Sequence, residues 1–75
     1  MRSSTTARVL QDAIFRAVSR FDEASFEDIK SYVGMRCPDR PNDRTILRHT
    51  RVLVDAGVLV RSGTNNHFSY KVVPA

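Results

Sequence analysis

Asn42-Asp43-Arg44-Thr45-Ile46-Leu47-Arg48-His49-Thr50-Arg51-Val52-Leu53-Val54-Asp55-Ala56-Gly57 is the stretch around which the rest of the chain is organised. Ile46, Thr50, Leu53 and Ala56 recur at steps of three and four, which is one face of an α-helix. Arg44, Arg48 and Arg51 repeat at the same spacing on another face, so three guanidinium groups project together. Asn42 offers a side-chain oxygen to the first unpaired amides, and Gly57 can take the left-handed conformation that ends a helix. Such a helix calls for a core on one side and an anion on the other. The pattern predicts a DNA-recognition helix.

Upstream, Leu10, Ile14, Ala17, Val18 and Phe21 form an amphipathic stripe over residues 6–20, with Arg8, Asp12, Arg16 and Arg20 outside it. The Ser3-Ser4-Thr5-Thr6 run supplies an N-cap. Phe15 sits beside the stripe and is expected to cover the core edge, the alternative being an exposed contact. Residues 21–24 read as a short connection with room for one extended pairing. Ser25 then caps a second helix, with Glu27 and Asp28 at the positive end of its dipole. Phe26, Ile29 and Val33 point inward, and Gly34 is expected to stop the helix. Two adjacent carboxylates lack the converging ligands of a cation site, so this acidic cluster is read as a cap. Residues 34–41, with two prolines, form the turn into the third helix.

After Gly57 the apolar period changes from 3.6 to 2. Val58-Leu59-Val60-Arg61 reads as a strand, residues 62–67 as turn chemistry, and Phe68-Ser69-Tyr70-Lys71-Val72 as the return strand. Phe68, Tyr70 and Val72 would pack this hairpin. The expected architecture is α+β over residues 1–75 as one domain, a winged helix-turn-helix. Three helices precede a β-hairpin wing, with a short strand admitted between the first two.

Composition sets the bounds. A chain of 75 residues can bury only a small core. No apolar run approaches a membrane span, and Met1-Arg2-Ser3-Ser4-Thr5-Thr6 lacks the apolar region of a secretory signal. One cysteine cannot form an internal disulfide, so a cytoplasmic location is expected. Cys37 is read as an ordinary or half-buried loop thiol rather than a redox switch. The net charge of +4 comes from ten arginines and two lysines against eight acids. Arginine's planar fork suits phosphate and guanine. Asp22, Glu23, Glu27 and Asp28 precede Arg36, Arg40, Arg44, Arg48 and Arg51, a layout that turns one side of the molecule toward a polyanion.

Two short motifs resemble known regulators. Arg48-His49-Thr50-Arg51-Val52-Leu53-Val54-Asp55-Ala56-Gly57-Val58-Leu59-Val60 resembles a stretch of arsenic-repressor (ArsR) type regulators. In that stretch R-H-L-x-x-L is followed by an acidic residue, A-G and L-V. Thr45-Ile46-Leu47-Arg48 looks like the T-V-Y-R of ferric-uptake-regulator (Fur) type DNA-binding domains, and Ser25-Phe26-Glu27-Asp28-Ile29 like their upstream S-A-E-E/D-I. The resemblance covers nearly the whole chain and implies a winged helix that binds DNA. Thr50 replaces the usual leucine and Leu47 the usual tyrosine. No counterpart of those families' metal-sensing and dimerisation segments is found in these residues. His49, His67 and Cys37 do not stand at ligand spacing, so no metal or other cofactor is expected.

No nucleophile, base and acid stand in a plausible constellation and no glycine-rich phosphate loop exists, so the chain is expected not to be an enzyme. The leading expectation is a small transcription regulator, such as a repressor, that binds double-stranded DNA with its third helix in the major groove. Arg44, Arg48 and Thr45 would reach bases or phosphates. Arg40 and Arg51 would hold the backbone, and Arg61, Asn65, Asn66, His67 and Lys71 would contact DNA from the wing. A weak homodimer, or a monomer that pairs on DNA, is the expected oligomeric state. The alternative is a winged-helix protein-protein module in a replication, transcription or phage complex.

Overall fold

The computed structural model describes residues 6–37, 39–64 and 67–74. In chain order they form α1 (Ala7–Arg20), β1 (Ala24–Ser25), α2 (Phe26–Arg36), α3 (Asp43–Asp55), β2 (Leu59–Thr64) and β3 (His67–Val72). Three helices therefore accompany a three-stranded antiparallel sheet of order β1-β3-β2. The short strand admitted between the first two helices is present, with Ala24 opposite Tyr70 and Ser25 opposite Ser69.

α1 starts where Thr6 Oγ1 accepts the Val9 amide at 3.2 Å. It buries Leu10, Ala13, Ile14, Ala17 and Val18. These side chains meet Ile29 and Val33 of α2, Ile46 of α3, and Leu59 and Tyr70 of the sheet in a single core. Phe21 does not extend the stripe as expected. It is the C-cap, its backbone is extended, and its side chain is exposed, because the helical rotation that would turn it inward has ended. Phe15 is exposed as well, at 37%.

Ser25 has two duties, as the last residue of β1 and the N-cap of α2. Its Oγ accepts the Asp28 amide at 3.2 Å, while its own amide donates to Asp28 Oδ2 at 3.1 Å, a complete capping box. Gly34 does not stop α2, which runs on to Arg36. The stop comes at Cys37, extended at φ −108° and ψ 110°. Pro38 follows it, and a proline disfavours helical backbone in the residue before it. Cys37 is not a half-buried loop thiol either, since it is 1% exposed and belongs to the core.

α3 begins with the Asn42 side chain accepting the Thr45 amide at 2.8 Å. It buries Ile46 and Thr50, with Leu53 packed against the core. The Thr50 hydroxyl donates to the Ile46 carbonyl at 2.8 Å, so a buried polar group is satisfied within its own helix. Ala56, expected on the apolar stripe, is exposed as the C-cap. Gly57 takes φ 81°, its amide donates to Val54 at 3.1 Å, and the Val58 amide donates to Leu53 at 3.0 Å. This pair of bonds is a Schellman closure.

The hairpin strands are longer than the sequence suggests, since ladder pairing continues through Ser62↔Ser69, Gly63↔Phe68 and Thr64↔His67. Turn-forming residues are carried into the ladder by cross-strand pairing, which overrides their weak local preference. Phe68, Tyr70 and Val72 face the core as expected. Gly63 sits at φ 112°, where a Cβ would strike the His67 carbonyl. Gly63→Ala should therefore cost more than about 1 kcal/mol and lower the melting temperature by at least about 4 °C. Gly34→Ala is the control: its Cβ would meet nothing within 4 Å, so this change should hold or raise the melting temperature.

Candidate nucleic-acid interface

Helical rotation places Arg44, Arg48 and Arg51 within a fan of about 60°, roughly opposite Ile46 and Leu53. All three arginines are exposed. Burial of Ile46 and Thr50 fixes which side of α3 faces inward, and that fixes where the arginines point. Asp55 lies at the C-terminal end of the same fan, so the cationic surface is strongest over the first two turns. Asp43, in the first turn, is paired with Lys30 of α2 at 3.3 Å. That pair is exposed and of modest worth, but it offsets an acid at the end of the helix where the dipole favours anions.

Between α3, the start of α2 and the hairpin lies a groove of about 570 Å³. Phe26, Leu47, Val54 and Phe68 give it an apolar lining, while Arg51, Arg61 and His67 bring cationic or titratable groups and Glu27 a single acid. The Arg61 guanidinium stacks over the Phe68 ring, 4.6 Å from its centroid, an arrangement that orders the charged fork on the hairpin. The fold thus brings Arg51 of the helix and Arg61 and His67 of the hairpin to one groove.

Other expected site residues lie elsewhere. Thr45 is half-buried on the flank of α3, about 100° round the axis from Arg44. Arg40 holds a left-handed φ of 46° and borders a separate shallow groove along α2, with Lys30, Met35 and Pro41. Lys71 is opposite Val60 on the outer face of the sheet, because side chains alternate along each strand and Tyr70 takes the inner face. Asn65 and Asn66 lie outside the described residues.

Sequence reasoning gives Phe26, Asp55 and His49 no part in the site. Leu47, Val54 and Phe26 make the groove apolar, and only tertiary packing brings Phe26 beside α3. Asp55 interrupts the arginine stripe, a signal available from its position four residues after Arg51. His49 is half-buried, and Gln11 Nε2 donates a 3.0 Å hydrogen bond to its Nδ1, which ties α3 to α1.

Among the described residues no His, Cys, Asp and Glu side chains gather in a way that could hold a metal ion, and no helix is long and apolar enough to cross a membrane. Comparison with protein-family models and with curated proteins finds no match.

Burial pushes the Tyr70 phenol above its ordinary 10.0, and the nearby Arg61 charge partly opposes this. The folded state therefore favours neutral tyrosine, and the unfolded chain releases the proton first. The associated stability is fully present below about pH 10 and is lost as pH rises through the raised value. Urea midpoints of the parent should fall above pH 10 more steeply than those of Tyr70→Phe. Equal slopes would remove Tyr70 as the cause.

Proposed function

We propose that the chain is a winged helix-turn-helix that binds double-stranded DNA, a non-enzymatic small transcription regulator with α3 in the major groove. The observation that carries this function is the exposed fan of Arg44, Arg48 and Arg51, aimed away from the core beside a groove that also holds Arg61. Arg44 and Arg51 are about 10 Å apart along the helix axis, the length of about three base steps. The helix order and the sheet order β1-β3-β2 are compatible with the winged-helix architecture.

In this function the first two turns of α3 enter the groove, where the helix dipole and the arginines favour the polyanion together. Arg44 and Arg48 read base edges, guanine being the natural partner of a bidentate guanidinium. Arg51 and Arg61 clasp phosphate from the two sides of the groove, and Asp55 limits contact toward the C-terminal end.

Phosphate contacts release condensed counterions, so log affinity should fall against log salt with a slope near −0.9 per contact. Arg51→Ala is expected to weaken all duplexes alike and flatten the slope by about one unit. Arg48→Ala should cost about 1–3 kcal/mol on the preferred sequence and less on random DNA. Circular dichroism should show both variants folded, since neither side chain is buried. If the double variant stays folded and binds every duplex with unchanged affinity and slope, the DNA function is lost.

The apolar lining of the groove favours one second function, a protein-interaction module that seats an apolar side chain between Leu47 and Phe68. Salt-sensitive retention on a DNA column separates the two, because an apolar contact with a protein gives no counterion slope.

A further inference from the structure

Leu47 is 48% exposed although it sits among three arginines on a helix whose inward side is already filled. Helical rotation places it about 40° from Arg51 and about 60° from Arg44, on the side of the fan that borders the groove. It lines that groove and is nevertheless about half exposed to water. The major groove of DNA presents hydrogen-bond donors and acceptors and only one apolar group, the C5-methyl of thymine. A leucine carried into that groove among guanidinium groups has the shape and chemistry to cover this methyl, and it has no hydrogen bond to offer any other base edge.

We propose that Leu47 is a specificity residue that reads the C5-methyl group of a thymine, next to the bases and phosphates engaged by Arg44, Arg48 and Arg51. This rests on the DNA-binding function proposed above. Val52 supplies an internal comparison. It is 45% exposed, but it lies on the far flank of the fan, one residue beyond Arg51 and nearer the acidic end at Asp55. Val52 has no part in the thymine contact.

The test removes the methyl from the DNA rather than from the protein. Duplexes are selected from a random library with the parent chain, and each thymine of the selected site is then replaced in turn by deoxyuridine. At one thymine per bound chain, loss of the methyl should weaken the parent about four-fold, the value of one buried methyl-sized group. Leu47→Ala should bind the thymine duplex several-fold more weakly and be indifferent to deoxyuridine at that position. Val52→Ala should keep the parent's full response. Because the substitution scan is read first on the parent, a folding defect in Leu47→Ala cannot hide the result.

Three outcomes overturn the proposal. One is a selected site with no preferred thymine, and another is a parent that responds less than two-fold to every deoxyuridine. The third is a Leu47→Ala variant that retains the parent's methyl response. In all three the parent still binds duplex DNA, so only the thymine contact falls. Failure of the parent to bind any duplex in a salt-dependent way would instead remove the DNA function itself.

Discussion

The antiparallel pairing of Ala24 and Ser25 with Tyr70 and Ser69 spans only two residues of β1, yet the candidate interface depends on it. Through this pairing the central strand β3 is tied to the connection between α1 and α2. Ser25 extends the tie by capping α2 in the same residue that ends β1. The hairpin is thereby held at a fixed height beside α3, and Arg61 can share a groove with Arg51. A free hairpin of two strands would be marginal in water. The third strand and the inward Phe68, Tyr70 and Val72 make it part of the core.

Charge on this molecule is arranged by pairing as much as by number. Asp43 stands at the start of α3, where it would oppose the arginines, but Lys30 takes it up from a neighbouring helix. Asp12 on α1 is paired with Arg16 at 2.8 Å, on an exposed surface. Arg36 leans on Tyr32, its guanidinium 5.2 Å from the ring centroid, at the end of α2. The arginines of the fan have a different setting, with a half-exposed leucine on their groove side and an acid at the far end. The +4 net charge therefore understates how strongly one face departs from the average.

Much of this was legible in the sequence. The helix in which Ile46, Thr50 and Leu53 repeat against three arginines, the caps at Ser25 and Asn42, and the inward alternation of Phe68, Tyr70 and Val72 all follow from spacing alone. The misreadings share a cause. Composition alone makes Gly34 a stop and Ser62-Gly63-Thr64 a turn, whereas the chain decides these positions by their neighbours: a proline four residues after Gly34, and a partner strand that extends the ladder. Phe21 and Ala56 continue their stripes on paper, but each falls just after its helix has ended. The groove could not be read at all, because Phe26, Leu47 and Phe68 are far apart in the chain and meet only through packing.

The closure at Gly57 carries a consequence for how this chain can change in length. Two backbone bonds, from Gly57 to Val54 and from Val58 to Leu53, fasten the last turn of α3 to the strand that follows. The rotational setting that Ile46 and Thr50 fix from the core is therefore fixed a second time from the end of the helix. One residue inserted between Arg51 and Gly57 would put the arginines, and the buried Ile46 and Thr50 with them, about 100° out of step with the closure, so either the core contacts or the closure would have to be given up. Substitutions on the exposed face are cheap in folding, but insertions or deletions in this short segment would set the buried stripe of the helix against its closure. Sequence drift in such a protein is expected to proceed by exchange of side chains at constant spacing between the arginine fan and the glycine.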